Sequence, residues 1–139
     1  GRSGGRTALK IGGKGDVTRA NVVWSKRGGP YVASPVLHED KLFYFPQTGA
    51  AICVDAKTGD ELGRARLRGG FYASPTLING KIYAVSRTDG VYVLEPTKDM
   101  KIIAHNTLGD SSDFSGSPAV SDGQLFLRSE RALYCISAE

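Results

Sequence analysis

The sequence predicts an all-β chain built from one repeated unit of short antiparallel strands, and three observations carry that prediction. "YVASPVL" at 31–37 returns as "FYASPTL" at 71–77 and "FSGSPAV" at 114–120, so Ser34, Ser74 and Ser117 stand 40 and 43 residues apart. "HEDKLFYF", "INGKIYAV" and "SDGQLFLR" repeat Leu42-Phe43, Ile82-Tyr83 and Leu125-Phe126 at the same offsets. "AAICVD", "GVYVLE" and "ALYCIS" then follow in the same order. Units of four strands at a period of roughly 40 residues are the blades of a β-propeller.

The elements follow in order. Ala8–Ile11 reads as a third-strand piece and Asn21–Ser25 as an outer strand, together the end of a preceding blade within residues 1–30. Lys41–Phe45, Lys81–Val85 and Val91–Leu94 are short β-branched or aromatic runs that leave helices no room. Glu39-Asp40, Asn79-Gly80, Asp89-Gly90 and Asp122-Gly123 are turn formers, and the Asn-Gly and Asp-Gly pairs tolerate the positive φ of tight hairpins. Leu42–Phe45 and Tyr92–Leu94 are apolar without alternation, which predicts strands covered on both faces. More polar fourth strands are expected around Glu61–Leu67 and Lys101–Asn106. The chain thus divides into the end of a blade (1–30), two blades (31–70 and 71–113) and an incomplete last blade (114–139). In that last blade Ala132–Ile136 is an open edge prone to association. These pieces do not close a ring, so an arc of about three four-stranded blades, part of a ring of about seven or eight, is expected.

With 139 residues, 18 Gly and 6 Pro, the chain suits one turn-rich all-β domain. No apolar run approaches the roughly 18 residues that would suggest a membrane span. "GRSGGRTALKIGGKGD" at the N-terminus lacks the apolar segment of a secretory signal.

"GAAICVDAKTGDELGRARL" at 49–67 resembles the repeat of pyrroloquinoline-quinone (PQQ)-like β-propellers, whose third strand enters an Asp-Ala-x-Thr-Gly turn, here Asp55 to Gly59. The resemblance runs from about Thr7 to Glu139, and "GGKGDVTRANVVW" and "FLRSERALYCIS" are similar to the C-terminal part of secreted bacterial PQQ-binding-like repeat proteins. It implies an outer-strand Trp between neighbouring blades. Trp24 holds that place, whereas the next two units offer Gly63 and Ile103, and the second unit replaces the Asp-Ala-x-Thr-Gly turn with "EPTKD" at 95–99. Loss of the Trp is expected to weaken the packing between blades.

A quinoprotein dehydrogenase would need a carboxylate base, oxygen ligands for Ca²⁺ and commonly a vicinal Cys pair. Cys53 and Cys135 are 82 residues apart, and the Asp55–Asp60 turn lacks the ligand rhythm of a calcium loop. That turn is read as a capping and hairpin device. The thiols align on the same rung of blades one and three, and are expected to be reduced and largely buried. His38 and His105 have no partner at metal spacing. Ser34, Ser74 and Ser117 recur as scaffold, without a nucleophile-elbow context. No catalytic, metal or cofactor-binding residue is therefore assigned, and no cofactor is expected.

Charge is uneven. Residues 1–30 carry seven Lys or Arg against Asp16, while residues 31–139 carry a net charge of −2. Arg64, Arg66 and Arg68 share one face of an outer strand, read as a solvated edge, with contact to an anionic surface as the alternative. Basic residues are not interleaved with aromatics as nucleic-acid binding would want.

Two functions remain. The resemblance implies a non-catalytic, extracytoplasmic (periplasmic or secreted) scaffold of BamB type that presents loops to a protein or peptide partner. The alternative is part of a PQQ-dependent dehydrogenase whose catalytic residues lie in other blades. Tyr31, Phe71, Tyr72 and Phe114, which open each unit, are the candidate binding residues on the axial face, with core packing as their other reading.

Overall fold

The computed structural model describes residues 4–137, which form thirteen strands and no helix. They lie in four antiparallel sheets. The first pairs β1 (Gly5–Leu9) with β2 (Val22–Arg27). The second runs β3 (Val36–His38), β4 (Lys41–Tyr44), β5 (Ala50–Asp55), β6 (Glu61–Arg66). The third runs β7 (Thr76–Ile78), β8 (Lys81–Val85), β9 (Val91–Leu94), β10 (Ile102–Asn106). The fourth holds β11 (Ala119–Ser121), β12 (Gln124–Arg128) and β13 (Leu133–Ile136). Consecutive strands pair throughout, so each sheet is an up-and-down meander and the whole is a partial β-propeller.

Three of the four turn pairs form the tight hairpins their sequences predict; Asp89-Gly90 instead ends a five-residue loop between Val85 and Val91, with positive φ at Gly90 but not at Asp89. His38↔Lys41, Ile78↔Lys81 and Ser121↔Gln124 close two-residue loops. Both central residues have positive φ in each: Glu39 and Asp40 at 45° and 61°, Asn79 and Gly80 at 47° and 70°, Asp122 and Gly123 at 50° and 74°. That is the twist a hairpin needs, and the first copy reaches it without glycine. β1 stops at Leu9 rather than Ile11: Lys10 N–H donates to Asn21 O at 2.8 Å, and Gly12 and Gly13, at φ 106° and 105°, then turn the chain away.

Of the stretches expected to be covered on both faces, Tyr92–Leu94 and Phe43–Phe45 are buried, and Leu42 is half-buried. β9 is buried at every position and β5 at all but its last. Phe43, Phe45 and Cys53 pack with Phe71, Ile82, Tyr92 and Leu94 between the second and third sheets. Val85, Val91, Phe114 and Leu127 fill the space between the third and fourth. Tyr44, Ile52 and Val54 form a third buried cluster on the opposite face of the second sheet, where Arg6 of β1 reaches Tyr44.

The repeated Ser-Pro phrase has a structural use. Ser34 N–H donates to Ser74 Oγ at 2.9 Å, and Ser74 N–H donates to Ser117 Oγ at 2.9 Å. Thr76 Oγ1 adds a bond to Pro118 O at 3.2 Å. Ser74 thus gives its hydroxyl to the previous sheet and its amide to the next.

At the outer rim, the expectation about tryptophan needs correction. A β-bulge opens all three outer strands, where Ala8/Leu9 face Trp24/Val22, Cys53/Val54 face Gly63/Glu61, and Leu94/Val93 face Ile102/Ala104. The bulged residues are Val23, Leu62 and Ile103, at 51%, 42% and 45% exposure. The position equivalent to Trp24 in the third sheet is therefore Ala104, not Ile103. Nor does its loss open a gap in the second sheet. Trp24 lies on Gly59 of the next sheet's turn and donates from Nε1 to Ala56 O at 3.0 Å. At Gly63 the following turn is one residue longer (Glu95 N–H to Lys101 O, against Asp55 N–H to Asp60 O) and its backbone comes inward. A Cβ at Gly63 would stand 1.9 Å from Lys98 O. Backbone fills the space that an indole fills one sheet earlier.

Gly63→Ala is accordingly expected to destabilise the protein by about 2 kcal/mol or more, as overpacking against backbone that cannot retreat. Gly63→Trp, which restores the aromatic of the family pattern, should be worse. Urea denaturation of the two variants checks this, and unchanged midpoints would contradict the close approach.

Candidate functional site

Because the strands alternate in direction, two sets of loops emerge at the same end of every sheet. One set connects each sheet to the next (28–35, 67–75, 107–118), and the other joins the second and third strands within a sheet (45–49, 86–90, 129–132). They are laced together through the backbone. Leu67 N–H donates to Gly49 O, Arg87 N–H to Gly70 O, Phe114 N–H to Arg87 O and Glu130 N–H to Asp113 O, at 3.1, 2.8, 2.9 and 3.0 Å.

The aromatic residues named from sequence divide on this face. Phe71 is fully buried and Phe114 is 6% exposed, each within an inter-sheet core. Tyr31 and Tyr72 are half-buried, their ring centroids 5.9 Å apart at an interplanar angle of 59°. Arg87, absent from the sequence-based candidates, completes the group: its guanidinium lies 4.3 Å from the Tyr72 centroid and pairs with Asp113. Burial opposes charge on Asp113, but the Ser115 hydroxyl and Arg87 prevail and hold its carboxyl below the usual range. Tyr31 precedes β3, Tyr72 precedes β7 and Asp113 precedes β11, so the group spans three sheets. "RTDG" at 87–90 was legible only as a turn; the stacking partner of its arginine lies in another loop.

Two further clusters lie at this end. Asp89 accepts the Tyr92 hydroxyl, while the His105 ring stacks on Tyr92 at 4.3 Å and 9°. Burial and the bond to Asp89 raise the Tyr92 pKa. Asp110 accepts from the Ser129 hydroxyl at 2.7 Å, from Ser112 N–H and Oγ at 2.8 and 2.7 Å, and from the Tyr134 hydroxyl at 2.8 Å. Those donors, Ser129 first, hold its carboxyl far below the ordinary carboxylate range.

The Asp55 turn is the capping device expected: Oδ1 accepts from Lys57 N–H and Thr58 N–H at 2.7 and 2.9 Å. His38, at a hairpin end, stands 3.8 Å from Glu39. Of the arginine stripe, all three residues are exposed, and Arg64 is held by both oxygens of Glu61 at 2.9 Å. The thiols are free, and their rungs are equivalent: Phe43↔Cys53 and Phe126↔Cys135. The expectation that both are buried fails for Cys135. Cys53 is covered by the following sheet, and no following sheet exists among the described residues to cover Cys135.

The donor set does not fit a quinone with its metal ion. Among the described residues no three His, Cys, Asp or Glu side chains are grouped to hold a metal, and the cysteines lie on separate sheets. The cavities that reach the loop face are about 240 Å³, beside Asp110 and Phe114, about 120 Å³, beside Asp113 and Glu130, and about 560 Å³, running from Tyr31 and Ser34 to Trp24 and Leu42 between the first and second sheets. The first two fall below the size of ordinary small-ligand pockets, roughly 300–1,000 Å³; the third lies within it but has no Asp, Glu, His or Cys in its lining. A larger cleft of about 600 Å³ is an apolar wedge between the third and fourth sheets, lined by Tyr83, Val93, Leu125 and Ile136 among others.

The family described as outer membrane protein assembly factor BamB matches residues 13–103. The chain belongs to this family. The crystal structure of BamB from Moraxella catarrhalis superposes with a TM-score of 0.76 at 21% identity, covering 98% of this chain and 41% of that one. The chain thus spans well under half the length of that BamB. The computationally designed Ika4 protein matches at TM-score 0.68 and 10% identity, over 89% of this chain and 77% of its own. A europium-containing methanol dehydrogenase matches at TM-score 0.51 and 14% identity, over 71% of this chain and 20% of its own. These likenesses share the fold. No curated protein matches the chain.

Two outcomes follow from the site. The low Asp110 pKa contributes stability that is present above its unfolded value of about 4 and is lost as pH falls through the lower folded value. Asp110→Asn should flatten the acid limb of the stability curve below about pH 4, measured by urea midpoints against pH; an unchanged acid limb would contradict the four-donor cage. For the thiols, burial raises the Cys53 pKa and shields it. Native protein should expose one reactive thiol, Cys135, and a second only after unfolding, with Cys135→Ser unreactive when native.

Proposed function

We propose that the chain is a segment of a non-catalytic BamB-like propeller that works outside the cytoplasm and presents its loop face to a protein or peptide partner in outer-membrane protein assembly. The observation that carries this reading is the Tyr31–Tyr72–Arg87–Asp113 group. Tyr and Arg are the residue types that dominate the energetics of protein interfaces. Here they are accessible and held in place across three sheets. The family supports the same assignment: the protein that gives it its description is an assembly factor.

The mechanism is one of presentation. The laced loops fix the tyrosine rings before a partner arrives, so little side-chain entropy is lost on binding. Asp113 orients the Arg87 guanidinium over Tyr72, leaving its remaining donors and the ring edge for the partner's backbone or carboxylates.

The test is site-specific photo-crosslinking in envelope extracts of the source bacterium. A crosslinker at Tyr31 or Tyr72 should capture one envelope protein, one at Asp122 on the opposite hairpin turn should not, and Arg87→Ala should lower capture about tenfold or more. Capture equal at all three positions would refute the assignment. So would saturable micromolar binding of pyrroloquinoline quinone with Ca²⁺ in calorimetry, which would return the dehydrogenase reading.

A further inference from the structure

We propose that the mouth of the β1–β2 hairpin is a contact surface for an anionic lipid bilayer. The stretch 10–23 carries Lys10, Lys14 and Arg19, all exposed, against one acid. That acid, Asp16, caps its own loop by accepting Thr18 N–H at 2.9 Å. None of the three cations is in an ion pair among the described residues. Between them stand apolar side chains facing water: Ile11 is fully exposed, and Val22 and Val23 are 41% and 51% exposed.

The arrangement is held in shape. Lys10 N–H bonds Asn21 O, and the Asn21 amide donates to the carbonyls of Lys10 and Gly12 at 2.9 and 2.7 Å. Ile11, fully exposed, therefore stands between two residues pinned to Asn21, which immediately precedes Val22 and Val23. The same end of the next two outer strands continues the pattern, with the bulged Leu62 and Ile103 exposed near Lys98 and Lys101. Lys98 meets Gly63 across the sheet boundary, so these ends adjoin.

Exposed aliphatic side chains flanked by lysine and arginine have the composition of an interfacial membrane contact: apolar side chains enter the acyl boundary and cations meet anionic headgroups. A protein partner would more often meet an aromatic anchor in a concave setting. Here the one aromatic, Trp24, is turned inward onto Gly59, and the open cleft of about 620 Å³ within the hairpin loop is lined by Lys10, Val17, Thr18 and Asn21 among others, with no aromatic anchor.

The test is co-sedimentation of the full chain with vesicles of phosphatidylglycerol and phosphatidylcholine, against phosphatidylcholine alone. Binding to the anionic vesicles should disappear at about 1 M salt, where the Debye length falls to about 3 Å. Each cation near an anionic surface is worth about fivefold, so replacing Lys10, Lys14 and Arg19 together by Glu should weaken binding about 100-fold or more. Ile11→Ser should weaken it less. Trp24 fluorescence, governed by its seat on Gly59, reports whether each variant remains folded. No binding to anionic vesicles at low salt would overturn the proposal, as would equal binding to neutral vesicles or undiminished binding by the folded triple variant. Binding to a soluble polyanion such as heparin without binding to vesicles would overturn it too, leaving a simple anion-exchange surface.

Discussion

The constraint on which the rest depends is that a sheet of short apolar strands has two faces and can cover neither alone. β5 and β9 are apolar at nearly every position, so each must be enclosed by a sheet on either side. Burial supplies the drive for stacking but no register, because it is non-directional. Directional contacts at both ends of each sheet supply it. On the inner side the amide-to-hydroxyl bonds Ser34–Ser74 and Ser74–Ser117 set each sheet against the next at the same point. The hydroxyl needs a fixed direction, which the following proline supplies by restricting the backbone of the residue before it.

The outer ends use a different device and tolerate more change. What is preserved there is a filled volume, not a residue type. Trp24 lies on Gly59, where positive φ and lack of a Cβ leave room for an indole; Gly63 receives a backbone carbonyl from a longer turn. The two halves of each junction lie about 35 residues apart in sequence and change together. The bulge ahead of each junction turns one aliphatic side chain outward and distorts the outer strand, a feature that discourages edge pairing. The outer strands thus keep their protection even where the family's tryptophan is gone.

Much of this was legible in the sequence because the signals were local. Strand identity, the two-residue turns and the cysteine rungs follow from hydrophobic runs and turn residues within a dozen positions. Three things were not. The bulge shifts the outer register by one, which no composition signal marks, so Ile103 was aligned where Ala104 stands. The burial of Cys135 could not be judged from its rung, since the rung fixes the strand neighbour but not what lies beyond the sheet. Arg87 was hidden because its partners, Tyr72 and Asp113, come from loops before and after it and meet only when the sheets stack.

The same division explains where such a chain can carry function. Most of the polar side chains with chemical potential are committed to the framework: the serines to their neighbours' amides, Asp55 to its own turn, Asp110 to four donors. A carboxylate held that far below its ordinary pKa is a poor general base near neutral pH, because it has little tendency to take a proton. What the framework leaves accessible is surface. On the loop face that surface is tyrosine and arginine held across three sheets, and on the opposite outer corner it is lysine, arginine and aliphatic side chains. The first is the chemistry of a protein contact and the second that of a charged, partly apolar boundary. Since the strands run between these two ends, the sheets themselves set the distance between them: six extended residues of β6, at about 3.3 Å each, give about 20 Å. On the two proposals made above, a stack of such sheets would stand on one end and hold a partner at the other.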